Sequence, residues 1–356
     1  MRQSTNMIRL DKRTGMMKRT HTYPALLALL LTAAFAGCRQ EPLPETGDAI
    51  RFSVNAVDIT AVETKAVSTT PTDGGNGLIS DGSSVKLYGS LAGSTTPVFD
   101  GVSLTCTENP ANTFTWSYGT PYKYWVKDGA YSFRAVYPAT ASIQDGSSGD
   151  EVVVSYDMAS ANYDLMVGAA SVTAAPPTDN TVTLQFGHAC AAVRVLFTDV
   201  SGDDNSGESN VITHFELKNL NATEGTYTSP AANPWSLSST PAASVYSWPA
   251  SGIGSWAVPT DDYASIESAP AWYFVIPQTL TDSSSLYFEY TVGSGTGAKT
   301  FSCTHDLKAG SITQWDARMV YTYKIKIQNT ISIEVEYKPW EEGGIYGFEG
   351  DKEIVQ

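Results

Sequence analysis

From residue 49 onward, apolar and polar residues alternate in short runs. Ile50, Phe52, Val54 and Ala56 alternate with Arg51, Ser53 and Asn55, the two-residue period of a half-buried strand. Further strands are predicted from Val85 to Tyr88 and near 112–118, 130–137 and 151–156, several ending at turn pairs such as Asp128-Gly129 and Asp145-Gly146. Val182, Leu184 and Phe186 alternate strictly, and Val193, Val195 and Phe197 do so on the opposite parity. The inward face therefore switches between His188 and Ala192, which predicts a β-bulge or bend there. The same pattern predicts strands at 211–218, 271–276, 285–292, 299–304, 319–328 and 331–338. Residues 225–262, rich in Ser, Pro, Ala and Trp, read as a long irregular excursion. No stretch shows sustained 3.6-residue periodicity, so the fold class is all-β, built as sandwiches.

The first 48 residues follow a different pattern. A basic segment from Met17 (MKRTHTYP) precedes an apolar run, Ala25–Gly37, that ends at Cys38. A run of roughly 13 residues suits a secretory signal and is too short to span a bilayer as a helix. Small residues before Cys38 form a lipobox-like end. The predicted order is a signal peptide at 1–37, a lipidated Cys38 heading a tether at 38–48, and then the β region. The mature length suggests two domains. Pro176-Pro177 lies in a loop read as their linker, giving 49–175 and 176–340, with a Gly-rich tail at 341–356.

Charge and cysteine usage exclude several functions. The formal charge is −15, and residues 1–37 carry six Lys/Arg against one acid; removing that net +5 leaves −20 beyond the signal. Such a surface repels phosphate backbones, so nucleic acid is not an expected partner. Cys106, Cys190 and Cys303 are too widely spaced for a zinc site and read as buried hydrophobes, although one disulfide among them stays open. His188, His214 and His305 show no metal-ligand spacing, there is no nucleophile elbow or P-loop, and His188 is read as a structural histidine. Asp203-Asp204-Asn205 and Asp261-Asp262 lack calcium-loop spacing and read as solvated charges. The expectation is a protein without enzymatic activity, cofactor or metal.

Four stretches together resemble the fimbrillin-like family, the type V pilins of Bacteroidetes surface fimbriae. They are Tyr163–Gly168 followed by Val182–His188 and the alternating run after it; Phe274–Leu280 with its Ile-Pro-Gln centre; Leu307–Gly310 followed by Tyr321–Ile327; and a last strand closing at Trp340. The resemblance implies two tandem transthyretin-like β-sandwiches and a role as a structural or adhesive fimbrial subunit. It also implies a lipid-anchored precursor at the outer membrane, cut by a trypsin-like protease in the loop behind the first strand. Here that cut falls at Lys65-Ala66, and the discarded strand is about 49–59, with Ile50, Phe52 and Val54 as its plugs. A strand from another subunit then fills the opened groove, restoring the ladder and burying alternate side chains. The long 225–262 excursion favours a tip or accessory subunit.

A second reading is a glycan-binding lipoprotein of the outer-membrane surface. Aromatic rings that stack on sugars are abundant in Trp116, Tyr118, Tyr122, Tyr124 and Trp125, and again in Trp235, Trp248 and Trp256. The same rings also suit sandwich packing. Exposed coplanar rings would favour the glycan reading.

Overall fold

The structure is a computed structural model that describes residues 49–56, 78–111, 113–160, 162–200, 210–238, 245–260, 262–308, 312–328, 331–340 and 352–355. Nine strands come first: β1 (Arg51–Ala56), β2 (Ser84–Leu91), β3 (Phe99–Glu108), β4 (Phe114–Ser117), β5 (Tyr131–Tyr137), β6 (Ser142–Ile143), β7 (Val152–Asp157), β8 (Met166–Val172) and β9 (Thr181–His188). Then follow β10 (Ala191–Asp199), β11 (Asn210–Lys218), β12 (Glu224–Ser229), β13 (Trp235–Leu237), β14 (Tyr246–Trp248), β15 (Trp256–Ala257), β16 (Tyr273–Val275) and β17 (Gln278–Thr279). The chain closes with β18 (Ser285–Val292), β19 (Lys299–Asp306), β20 (Gln314–Trp315), β21 (Met319–Ile327), β22 (Ile331–Pro339) and β23 (Lys352–Val355). Among the described residues, no helix is long and apolar enough to cross a membrane.

The all-β expectation holds, and each strand predicted by alternation is present within a few residues. Several stretches read as loop also contain strands. β3 and β8 were missed because their apolar residues do not alternate cleanly, and β12 to β15 occupy the excursion predicted to be irregular. Those later strands are short and rich in Ser, Thr and Trp, and cross-strand partners rather than intrinsic pattern hold them extended.

Seven strands close into a barrel in the order β1-β4-β3-β2-β5-β8-β9, with β1 and β9 parallel. Its core holds Ile50, Phe52, Leu87, Phe99, Phe133 and Phe186. A second core lies between the sheet β16-β10-β21-β22-β23 and the sheet β14-β11-β18-β19. Phe197 of β10 meets Phe215 of β11 at 6.4 Å and Phe288 of β18 at 5.4 Å between ring centroids, the interdigitation of a sandwich. A four-stranded sheet, β13-β12-β7-β6, packs against that second core.

The predicted face switch after His188 is a bend. β9 buries Val182, Leu184 and Phe186 in the barrel, while β10 buries Val193, Val195 and Phe197 in the second core. Ala189 and Cys190 make the passage, with the Ala189 N–H donating to the Leu165 carbonyl at 2.7 Å. The cores therefore part at residues 189–190. Pro176-Pro177 lies instead in the connection from β8 to β9, two neighbouring strands of one barrel. Moreover β7, early in the chain, pairs with β12. Residues from both sides of position 176 thus contribute to the second core.

Candidate functional site

The closing strand of the barrel is the feature most distinct from an ordinary sandwich. β1 does not pair with β2, its successor in sequence. It lies between β9, parallel over six residue pairs from Arg51↔Thr181 to Ala56↔Phe186, and β4, which it meets antiparallel at Phe52↔Trp116. Two backbone bonds fix its start: the Ile50 N–H donates to the Lys123 carbonyl at 2.8 Å and the Arg51 N–H to the Asn180 carbonyl at 3.2 Å. The Tyr118 hydroxyl donates to the Ile50 carbonyl at 3.1 Å.

Alternation sets what β1 buries. Ile50 is 1% and Phe52 5% exposed, while Arg51 and Asn55 face solvent. The Phe52 ring meets Phe99, Phe133 and Tyr118 edge-on, at 5.5, 5.4 and 6.1 Å between centroids. Val54 is half-buried against the same core. Of the three plugs predicted from sequence, two are deep and one is at the margin. Without β1 the barrel would expose a channel walled by these aromatics, with unpaired backbone along β9. Cys38, Lys65 and Ala66 lie outside the described residues, as do residues 203–205 and Asp261.

The motif residues converge on the passage between the two cores. Asp164 and His188 are both buried, with His188 Nδ1 2.8 Å from Asp164 Oδ2. Burial raises the Asp164 carboxyl from its ordinary value, while the charge of His188 and its hydrogen bond oppose that rise. The His188 ring stacks on Trp340 at 3.8 Å, and Trp340 stacks in turn on Phe274 at 5.7 Å. The Trp340 N–H donates to the Arg318 carbonyl, and the Arg318 N–H donates to the Cys190 carbonyl. Gln278, from the Ile-Pro-Gln segment, clamps Ala222 in both directions: Nε2 donates to its carbonyl and Oε1 accepts its N–H, each at 2.9 Å. Gly168 leaves room for the Phe186 ring, which a Cβ there would meet at 2.5 Å. These positions are clamps of the fold, so the structural reading of His188 agrees with its surroundings.

The aromatic stretches are mostly packing. Trp125 and Trp248 are buried, and Trp116, Trp235 and Trp256 are half-buried against the cores. Trp235 Nε1 donates to the Ala189 carbonyl and Trp248 Nε1 to Ser268. Tyr122 is the exposed ring of the first stretch, at 50%. Cys106, Cys190 and Cys303 are free thiols. No group of three or more His, Cys, Asp or Glu among the described residues is placed to hold a metal ion.

An all-β protein with two cores, whose barrel is closed by a separately connected strand, is the class that the geometry defines. The fimbrillin-like family model matches residues 54–340, and the chain belongs to that family. Two solved structures, both described as putative cell adhesion proteins, share the fold. One from Bacteroides uniformis is 17% identical, with a TM-score of 0.52, and covers 84% of this chain and 100% of its own. One from Bacteroides ovatus is 13% identical, with a TM-score of 0.52, covering 84% and 99%. A fimbrial protein from Bacteroides vulgatus is 14% identical, with a TM-score of 0.49, covering 82% and 99%. No curated protein sequence matches the chain.

Proposed function

We propose that this chain is a subunit of a surface fimbria that assembles by strand exchange. The precursor is exported, acylated at Cys38 and held at the outer membrane. A protease cuts at Lys65-Ala66, β1 leaves, and a strand of another subunit takes its place. The observation that carries this reading is the position of β1. It fills the barrel with Ile50 and Phe52, yet it is joined to β2 through residues 57–83 rather than paired with it. Its removal breaks only the β9 and β4 ladders. A donor with the same alternation would restore both and refill the pockets.

The donor is not a strand from the middle of the second core's main sheet: β21 lies between β10 and β22 there, and its Tyr323 and Ile325 are fully buried. β23 is an edge strand, paired on one side through four residue pairs with β22. The strands at 225–262 lie between the two main sandwich strands β11 and β18 and give an accessory or tip subunit its distinguishing surface.

The test is the N-terminus of the protein recovered from the cell surface, by intact mass and terminal peptide sequencing. A start at Ala66 is expected. A lipidated start at Cys38, with Lys65 uncut, would overturn the exchange mechanism.

A further inference from the structure

The sheet β13-β12-β7-β6 carries a cavity of about 590 Å³ on its outer face, within the size range of small-ligand sites. Strand alternation builds it. On β7, Val152, Val154 and Tyr156 point into the core, so Ser155 and Asp157 point outward. The register then sets Ser142 opposite Ser155, Ser155 opposite Thr226, and Thr226 opposite Ser236. Four hydroxyl side chains thus form one continuous row across four strands. At roughly 4.8 Å between strands the row is about 14 Å long. All four line the cavity.

Asp157 and Glu224 are directly opposite one another in the neighbouring row and line the same cavity. Like charges facing across a ladder destabilise a sheet. No Lys, Arg or His lines the cavity to offset them. At one end stands Tyr163, its ring edge-on to Tyr156 at 5.1 Å. Leu237 adds an exposed apolar surface at the other end. Gln144 Nε2 donates to Ser155 Oγ at 2.6 Å, which leaves the Ser155 O–H free to donate outward.

We propose that this cavity binds a glycan, neutral or amine-bearing. Spaced hydroxyls both donate to and accept from sugar hydroxyls, and a carboxylate accepts from adjacent hydroxyls or from an ammonium. Tyr163 and Leu237 offer surface to the C–H faces of the ring. Two uncompensated carboxylates repel acidic sugars and phosphates alike. The site is distinct from the aromatic stretches, whose rings are largely committed to packing. It draws on the cell-surface reading only for where the ligand is met, and needs neither strand exchange nor a lipid anchor.

The test is calorimetric titration of the full chain with three tetrasaccharides: one of glucosamine, one of N-acetylglucosamine, and hyaluronan. The first two are expected to bind saturably and the acidic one at least tenfold more weakly. Thr226→Val and Ser236→Ala should each weaken binding roughly three- to tenfold, the loss of one hydrogen bond. Glu224→Gln, at an exposed position, should weaken the amine-bearing sugar about tenfold while moving the neutral one less than twofold. Thr300→Val, on β19, is the control and should change nothing. Absence of binding by all three sugars at millimolar concentration would overturn the proposal, as would binding indifferent to both Thr226→Val and Glu224→Gln. Loss of binding on adding a chelator would also overturn it, reassigning the carboxylates to a metal. N-terminal sequencing reports on strand exchange independently, so failure of one reading leaves the other standing.

Discussion

Replacing Phe52 by alanine tests whether β1 closes the barrel as a plug or merely lies along it. The ring is 5% exposed and touches Phe99, Phe133 and Tyr118, three residues from different strands or loops. Truncating a buried phenylalanine costs about 3–5 kcal/mol, the sum of lost transfer energy and the cavity left behind. Three edge-on ring contacts place the expected loss in the upper part of that range. Arg51→Ala is the matched control, one residue away on the solvent face, and should stay within about 0.5 kcal/mol. Urea unfolding followed by tryptophan fluorescence reads both, since Trp116 and Trp125 sit at the barrel. Amide exchange adds a local reading. The Ile50 and Arg51 N–H groups are held by Lys123 and Asn180, and every 1.4 kcal/mol removed from strand docking should speed their exchange about tenfold. A Phe52→Ala chain within about 1 kcal/mol of the wild type would refute the plug. So would an equal loss from Arg51→Ala, because the register would then be wrong.

Three further outcomes are expected. Gly168→Ala should destabilise the chain by about 1–3 kcal/mol in a thermal melt, because the new methyl meets the Phe186 ring at 2.5 Å in a packed core. Asp164→Ala should cost about 3–5 kcal/mol in urea unfolding by leaving His188 buried without its carboxylate, and Asp164→Asn should cost clearly less. Burial, with Asp81 and Glu108 nearby, pushes the Cys106 thiol up to about 11, so on the order of one molecule in a thousand is thiolate at pH 8. Iodoacetamide at that pH should therefore modify Cys106 and the fully buried Cys190 only after half-buried Cys303, as peptide mass mapping would show.

What the sequence made legible depended on whether a residue's role is local. Alternation is local, so β1, β9, β18, β21 and β22 could be read from their own residues, and so could the inward set Ile50, Phe52, Val182 and Leu184. Parity is also local, and its reversal after His188 predicted the bend that the structure shows between β9 and β10, although not that the two strands would enter different cores. Pairing is not local. Nothing in residues 151–157 says that β7 will pair with β12 about seventy residues later, or that β1 will close on β9 in parallel. The hydroxyl row has the same origin. Ser142, Ser155, Thr226 and Ser236 are ordinary strand and turn residues in isolation, and β12 and β13 lay in a stretch with no clear period.

The motif residues show the converse case. Asp164, His188, Gln278 and Trp340 come from distant segments, and each looked like a family marker without a stated reason. Three of them meet where the barrel core hands over to the sandwich core, Asp164 on His188, His188 on Trp340 and Trp340 on Phe274, while Gln278 clamps Ala222. Buried polar groups are costly unless each finds its partner, so such a region tolerates little change in residue type. The plug residues of β1 face a looser demand: any apolar side chain of suitable size can fill a pocket. That asymmetry is what strand exchange requires. A subunit must keep its own junction rigid while its groove accepts a strand that it did not make. Under the proposed exchange the groove could therefore vary with its donor, whereas the Asp164–His188–Trp340 contact could not vary without loosening both cores.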